Sequence, residues 1–189
     1  MQELFQEFLG YVVSLDYRAV GLILELRGPL VTKVMTSVTG LGSAAAAAVF
    51  LGVFYLAGWR DEYLTTGVAI LVVGALVPTL MGVFQRPFPP QPVCMTGGAE
   101  TVAHSFPSGH AAAVTVFALT AWRSEDLPFL PIAGLAALVA VSRVYLGTHF
   151  LSDTVAGVLL GLGATVLAWR LVERFALGER LPSALVPAE

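Results

Sequence analysis

SRVYLGTHFLSDTVAGVLLGLGATVLAWRLV, residues 142–172, decides the fold. Its first dozen residues carry Arg143, His149 and Asp153, and from Thr154 to Trp169 no charge interrupts an apolar run. The stretch from about 150 to 172 is long enough to cross a bilayer, which takes about 20 residues. Gly157 and Gly161 have the small-xxx-small spacing that lets helices pack closely in lipid. Ionisable groups therefore stand at the mouth of an apolar helix.

Working outward, four more stretches are apolar enough to span, near 41–59, 63–84, 108–123 and 127–146. Over 189 residues the chain is 57% apolar and 12% charged, against roughly a quarter charged in soluble domains. The expectation is all-α: a polytopic transmembrane helix bundle of five to six spans. It forms one domain over 1–189, with its core at 41–172 and a polar tail at 180–189.

Residues 1–38 read as amphipathic or interfacial helices. Leu4, Phe5, Phe8, Leu9, Val12 and Val13 recur at helical spacing, with Glu3, Gln6 and Glu7 on the other face. A second helical piece is expected over about 18–27, ending at Gly28-Pro29. Glu7, Asp16, Arg18 and Glu25 make a sixth span here costly. The opening Met1-Gln2-Glu3 lacks the basic stretch of a cleaved secretory signal. A net charge of −3 without a basic stripe argues against nucleic acid as a partner. Cys94, the single cysteine, has no internal partner.

Three phrases carry the chemistry. Gln85-Arg86-Pro87 closes the second span, and Pro107-Ser108-Gly109-His110 opens the third. Ser142-Arg143 closes the fourth, and His149 and Asp153 open the fifth. If each span crosses once, all four points meet at one membrane face. Two guanidiniums grip phosphate through forked, charge-assisted bonds. Ser108 stands at a helix start, where free N–H groups and the helix dipole favour an anion, and Gly109 permits close backbone approach. His149 and Asp153, four apart, are expected to share a helix face, with the carboxylate fixing the imidazole tautomer. His149 is then a candidate nucleophile and His110 a general acid.

The loop 86–106 holds four prolines and Gly97-Gly98, and is the one long connection between spans. His104 and Glu100 within it read as solvated loop residues, with His104 an auxiliary candidate beside a leaving group. There is no His-x3-His, cysteine pair or acidic cluster, so neither metal nor cofactor is expected.

These phrases, in order and at span ends, resemble the type 2 phosphatidic acid phosphatase family: Lys-x6-Arg-Pro, then Pro-Ser-Gly-His, then Ser-Arg-x5-His-x3-Asp. The resemblance covers roughly 60–172. It implies a bundle of about six helices and metal-independent chemistry. It assigns His149 as nucleophile, Asp153 as its orienting partner and His110 as general acid, with Arg86, Ser108, Gly109 and Arg143 binding phosphate. One position departs: the family lysine falls at 79, where this chain has Thr79. A lysine there, two turns before Arg86, would share its helix face and reach the phosphate. The vanadium haloperoxidases share such a pocket by resemblance but are soluble.

The reading that follows is a membrane phosphatase acting on a lipid phosphate or diphosphate through a phosphohistidine. A lipid phosphotransferase with an alcohol acceptor, and a non-catalytic lipid-phosphate binder without the lysine, are the alternatives. Arg60, Arg123, Arg170, Arg174 and Arg180 fall on the side opposite the motifs, with Lys33, Arg27 and Arg18 on the motif side. The positive-inside rule then directs the site away from the cytoplasm of a multi-pass cell-membrane protein.

Overall fold

The computed structural model describes residues 2–93 and 104–180. Cys94, Gly97-Gly98, Glu100 and the tail beyond 180 lie outside the described residues. The order is α1 Gln2–Leu26, α2 Pro29–Thr39, a 3-10 turn Gly40–Gly42, α3 Ala44–Ala57, α4 Arg60–Phe84, α5 Gly109–Arg123, α6 Phe129–Tyr145, α7 Leu151–Phe175 and α8 Leu177–Arg180. The described residues hold helices and no strand, as an all-α bundle requires.

Local chemistry sets the boundaries. Pro29 opens α2, where its missing N–H costs nothing. Ser43 caps α3 by accepting from the Ala46 N–H at 3.2 Å. Gly58, at φ 78°, ends α3 in the left-handed conformation that glycine adopts without strain. Gln85, at φ 47°, ends α4 and turns Arg86 off the helix axis.

Helix α5 lies at the centre, packed by α4, α6 and α7. One apolar cluster joins Ala69, Val73 and Val77 of α4 to Ala112 and Val116 of α5 and to Ala164 and Ala168 of α7. A second joins Ala47 of α3 to Ala113, Val114 and Phe117 of α5 and Val139 of α6. Alanine dominates because the backbones are close. A Cβ added at Gly157 would lie 2.3 Å from the Ser108 carbonyl oxygen, and one at Gly161 would lie 2.4 Å from that of Ala112. The two glycines are thus packing glycines, as their spacing suggests. Both contacts advance by four residues, so α5 and α7 run parallel from one end of the bundle.

Helices α4 and α7, with 25 residues each, are long and apolar enough to cross a membrane. The segment α2, turn and α3, bent by 57°, reaches that length and apolarity only as a pair, the form of a broken span or a re-entrant loop. The stretch read as a span at 41–59 is therefore the second half of a longer bent element. Helices α5 and α6, at 15 and 17 residues, are shorter and complete the bundle beside these elements. The chain before Gly28 is one helix and not two pieces. Gly10 and Gly21 sit inside it, and a single interior glycine costs only about 1 kcal/mol, too little to break a helix.

Gly157→Ala should lower the thermal unfolding temperature in detergent, because overpacking costs about 1–3 kcal/mol and here the obstacle is backbone. Gly163, whose added Cβ meets nothing within 4 Å, should tolerate alanine without loss. Equal melting of both variants would show that the α5–α7 approach is not tight.

Candidate active site

Four chain segments converge at the end of the bundle where α5 and α7 begin. The Ser108 N–H donates to the Asp153 carbonyl at 3.0 Å, and the Ser105 N–H donates to the Arg86 carbonyl at 2.8 Å. The Ser105 hydroxyl donates to the Pro87 carbonyl at 3.0 Å. These bonds tie the exit of α4 to the entry of α5 and to the first turn of α7. Ser108 is fully buried, and its hydroxyl oxygen accepts from the Ala111 N–H at 3.4 Å as the cap of α5. A Cβ on Gly109 would touch Val77 at 3.4 Å, so this glycine seats the helix start against α4. Gly42 of the 3-10 turn lies against His110; a Cβ there would come within 2.9 Å of the histidine's own.

His149 is 4% exposed and sits in the turn before α7. Its Nδ1 lies 2.5 Å from the Ser105 carbonyl oxygen. A carbonyl only accepts, so Nδ1 carries the proton and Nε2 keeps its lone pair. The turn is held by the Arg143 carbonyl, which accepts from the N–H groups of Thr148 and His149, both at 3.2 Å. Arg143 is itself buried, and its Nη1 donates to the Thr39 hydroxyl at 2.7 Å. Burial, then the Arg143 charge, push the His149 imidazole down to about 3; the Ser105 bond opposes this and His110 adds to it. The charges of Arg143 and His110 thus both oppose a proton on His149.

Asp153 does something other than orient His149. One oxygen of its fully buried carboxylate accepts from the Phe150 N–H at 2.8 Å and the other accepts from Arg86 Nη1. The reason is positional. His149 precedes α7, so the i,i+4 face argument fails, whereas Asp153 is the third helical residue and reaches back to satisfy the helix start. The Ser105 carbonyl takes over the tautomer role.

Arg86 is gripped on both terminal nitrogens. Nη1 also donates to the Ser152 hydroxyl at 2.7 Å, and Nη2 donates to Asp16 of α1 at 2.7 Å. The Phe150 ring lies 4.1 Å from the guanidinium carbon. Thr79 is exposed on α4, its hydroxyl bonded to the Ala75 carbonyl at 2.8 Å. Because Gln85 turns the chain off the helix, Thr79 and Arg86 do not share a helical face. His104 is half-buried beside Ser105 in the chain. Sequence reasoning missed Ser105, Ser152, Thr39 and Asp16. The last was legible only as one of several ionisable residues in α1, with nothing to set it apart from Glu7, Arg18 and Glu25.

The fold and site define a helical membrane protein with two arginines and two histidines gathered at one end of its bundle. The chain belongs to the PAP2 superfamily, whose family model matches residues 62–176. It is 36% identical over 116 residues to decaprenylphosphoryl-5-phosphoribose phosphatase of Mycobacterium tuberculosis, covering 61% of this chain and 63% of the relative, so the match spans somewhat less than two thirds of that protein. It is 32% identical over 154 aligned positions to phosphatidylglycerophosphatase B of Bacillus subtilis, covering 72% and 73%. The fold is similar to the crystal structure of LpxE from Aquifex aeolicus, with a TM-score of 0.69 and 26% identity over 82% of this chain and 95% of that one. It is also similar to a transmembrane PAP2 type phosphatidylglycerolphosphate phosphatase from Bacillus subtilis, with a TM-score of 0.73 and 24% identity over 91% and 95%.

The neutral His149 makes stability pH-dependent. An unfolded imidazole titrates near 6.5, whereas the folded one stays neutral to about 3. The unfolded state therefore binds the proton first, and stability, full above 6.5, falls as pH drops below it. His149→Gln should flatten the fall in unfolding temperature between about pH 7 and pH 5. An unchanged slope would show that His149 is not buried as a neutral group.

Proposed function

We propose that this chain is a membrane phosphatase that removes phosphate from a lipid phosphomonoester or diphosphate through a phosphohistidine on His149 Nε2. The observation that carries this is the Ser105 carbonyl on Nδ1, which leaves Nε2 as the free nucleophile beside Arg143 and His110. The names of its relatives, which are phosphatases of lipid-linked substrates, support the substrate class.

In the first step Nε2 forms a bond to phosphorus while the bond from phosphorus to the lipid oxygen breaks. His110 gives its proton to the departing alkoxide. In the second step His110 takes a proton from water, the water oxygen attacks phosphorus, and the N–P bond breaks to release inorganic phosphate. Arg86, Arg143 and the Ser108 helix start hold the equatorial oxygens, where the transition state carries its charge. Asp153 keeps Arg86 in place. The route needs side chains, a backbone carbonyl and water.

The protein is multi-pass in this reading, with its site on the extracytoplasmic side of the cell membrane. With the site's own Arg86 and Arg143 set aside, the five arginines at the far end outnumber Arg18, Arg27 and Lys33, which supports that orientation. Arg123 there donates to Glu173 at 2.6 Å and lies 5.3 Å over the Trp169 ring, in a cluster with Trp122 typical of a membrane interface. Cys94 follows the motif-side turn in sequence, so an impermeant maleimide should label it in intact cells. Labelling only after lysis would reverse the orientation.

Phosphate release from at least one lipid phosphate should persist in detergent with excess chelator and be inhibited by vanadate. His149→Ala should abolish turnover. His110→Ala should cost about 10²–10⁴-fold on lipid substrates and much less on a nitrophenyl phosphate, whose leaving group needs no proton. Near wild-type turnover by His149→Ala would remove the nucleophile assignment.

A further inference from the structure

We propose that Asp16 of α1 is a positioning residue for the phosphate-binding Arg86, so that docking of the N-terminal helix completes the active site. This rests on the reading of Arg86 as a phosphate ligand. Helix α1 is exposed along most of its length, and Asp16 is its one buried charge, at 1% exposure. A carboxylate there is costly unless fully partnered. Its partners all belong to the site. Oδ2 accepts from Arg86 Nη2 at 2.7 Å and from the Ser152 hydroxyl at 2.6 Å, and Oδ1 accepts from the Ser152 N–H at 2.8 Å. Asp16 thus reaches over the first turn of α7 and takes hold of the guanidinium from the side opposite Asp153.

The geometry gives this grip a purpose. Arg86 lies outside α4, after the left-handed Gln85, so no helix fixes its side chain. Asp153 and Ser152 hold Nη1, and Asp16 holds Nη2. Phe150 covers one face of the plane. Of the five guanidinium N–H groups, Nε–H and one on Nη2 have no partner among the described residues, and they remain for phosphate. Without Asp16 the plane is free to swing about its bond to Nη1, and that pair of donors loses its aim. Helix α1 buries little else among its described side chains, with Val20 the one fully buried apolar residue. The polar contacts of Asp16 thus attach α1 to the same groups that hold Arg86.

Asp16→Asn keeps a carbonyl for the Ser152 N–H and removes the charge facing Arg86. Vanadate inhibition and KM for a lipid monophosphate should each worsen by about tenfold or more, the scale of a lost charge-assisted bond. The vanadate-induced rise in unfolding temperature, a readout independent of turnover, should shrink in parallel. Asp16→Glu, which restores the charge one methylene further out, should recover part of both and covers the case in which the amide does not fold. In an Arg86→Lys background the further change Asp16→Asn should cost less than about threefold, because the coupled partner is already gone. A wild type that neither turns over nor is stabilised by vanadate overturns the phosphatase reading and this inference together. A normal wild type with an unaltered vanadate response in Asp16→Asn, or with equal losses in both backgrounds, overturns this inference alone.

Discussion

Everything at the motif end hangs on one guanidinium. Arg86 connects α1 through Asp16, α7 through Ser152 and Asp153, and the entry to α5 through its own carbonyl and Ser105. Buried ion pairs are poor sources of net stability, because desolvation consumes most of the attraction. Removing one partner is another matter and costs about 3–5 kcal/mol when the remaining charge is fully buried. With the Arg86 side chain 23% exposed the cost is smaller, yet the carboxylates at 1% and 0% have no water to turn to. The pairing therefore specifies an arrangement more than it stabilises a fold: α1, α4 and α7 have one mutual position in which all three charges are satisfied.

That arrangement sets the electrostatics a phosphate meets. Arg86 and Arg143 bring two positive charges, and Asp16 and Asp153 return two negative ones. In the proposed reading net attraction is then weak, and binding comes from aimed donors: the remaining N–H groups of Arg86, the guanidinium of Arg143 and the start of α5 at Ser108. Fixed dipoles in a buried site act at low dielectric and need no reorganisation when charge develops. Thr79 fits such a site, since it adds neither charge nor contact there.

Much of this was legible in the residues. The arginines, histidines and Ser108 could be placed at one end because chain direction through successive helices is topological and needs no side-chain detail. Gly157 and Gly161 announced a close helix crossing through their spacing alone. The interior wiring was not legible, for specific reasons. His149 and Asp153 are four apart, but the helix begins between them, and helical face arguments fail across a cap. Ser105 contributes a backbone carbonyl, which every residue has, so no sequence signal could single it out. Asp16 looked like an obstacle to crossing the membrane because its partners lie 70 and 136 positions away.

The parallel packing of α5 on α7 also sets the depth of the chemistry. Gly157 meets Ser108, yet α7 begins at Leu151, six residues and about 9 Å earlier. The start of α5 is therefore sunk more than a turn below the start of α7, under the Arg86 cluster and the loop that carries Ser105. In the proposed reading a phosphate held at Ser108 lies inside the bundle. Burial and the charge of Arg143 are what keep His149 neutral. In the proposed reading the depth of the α5 start also bears on the substrate. A phosphate on a flexible lipid stem can be lowered to that level while its apolar tail stays among the exposed leucines and valines of the outer helix faces. A bulky soluble phosphate would have to give up its own hydration to descend and would gain no apolar contact in return.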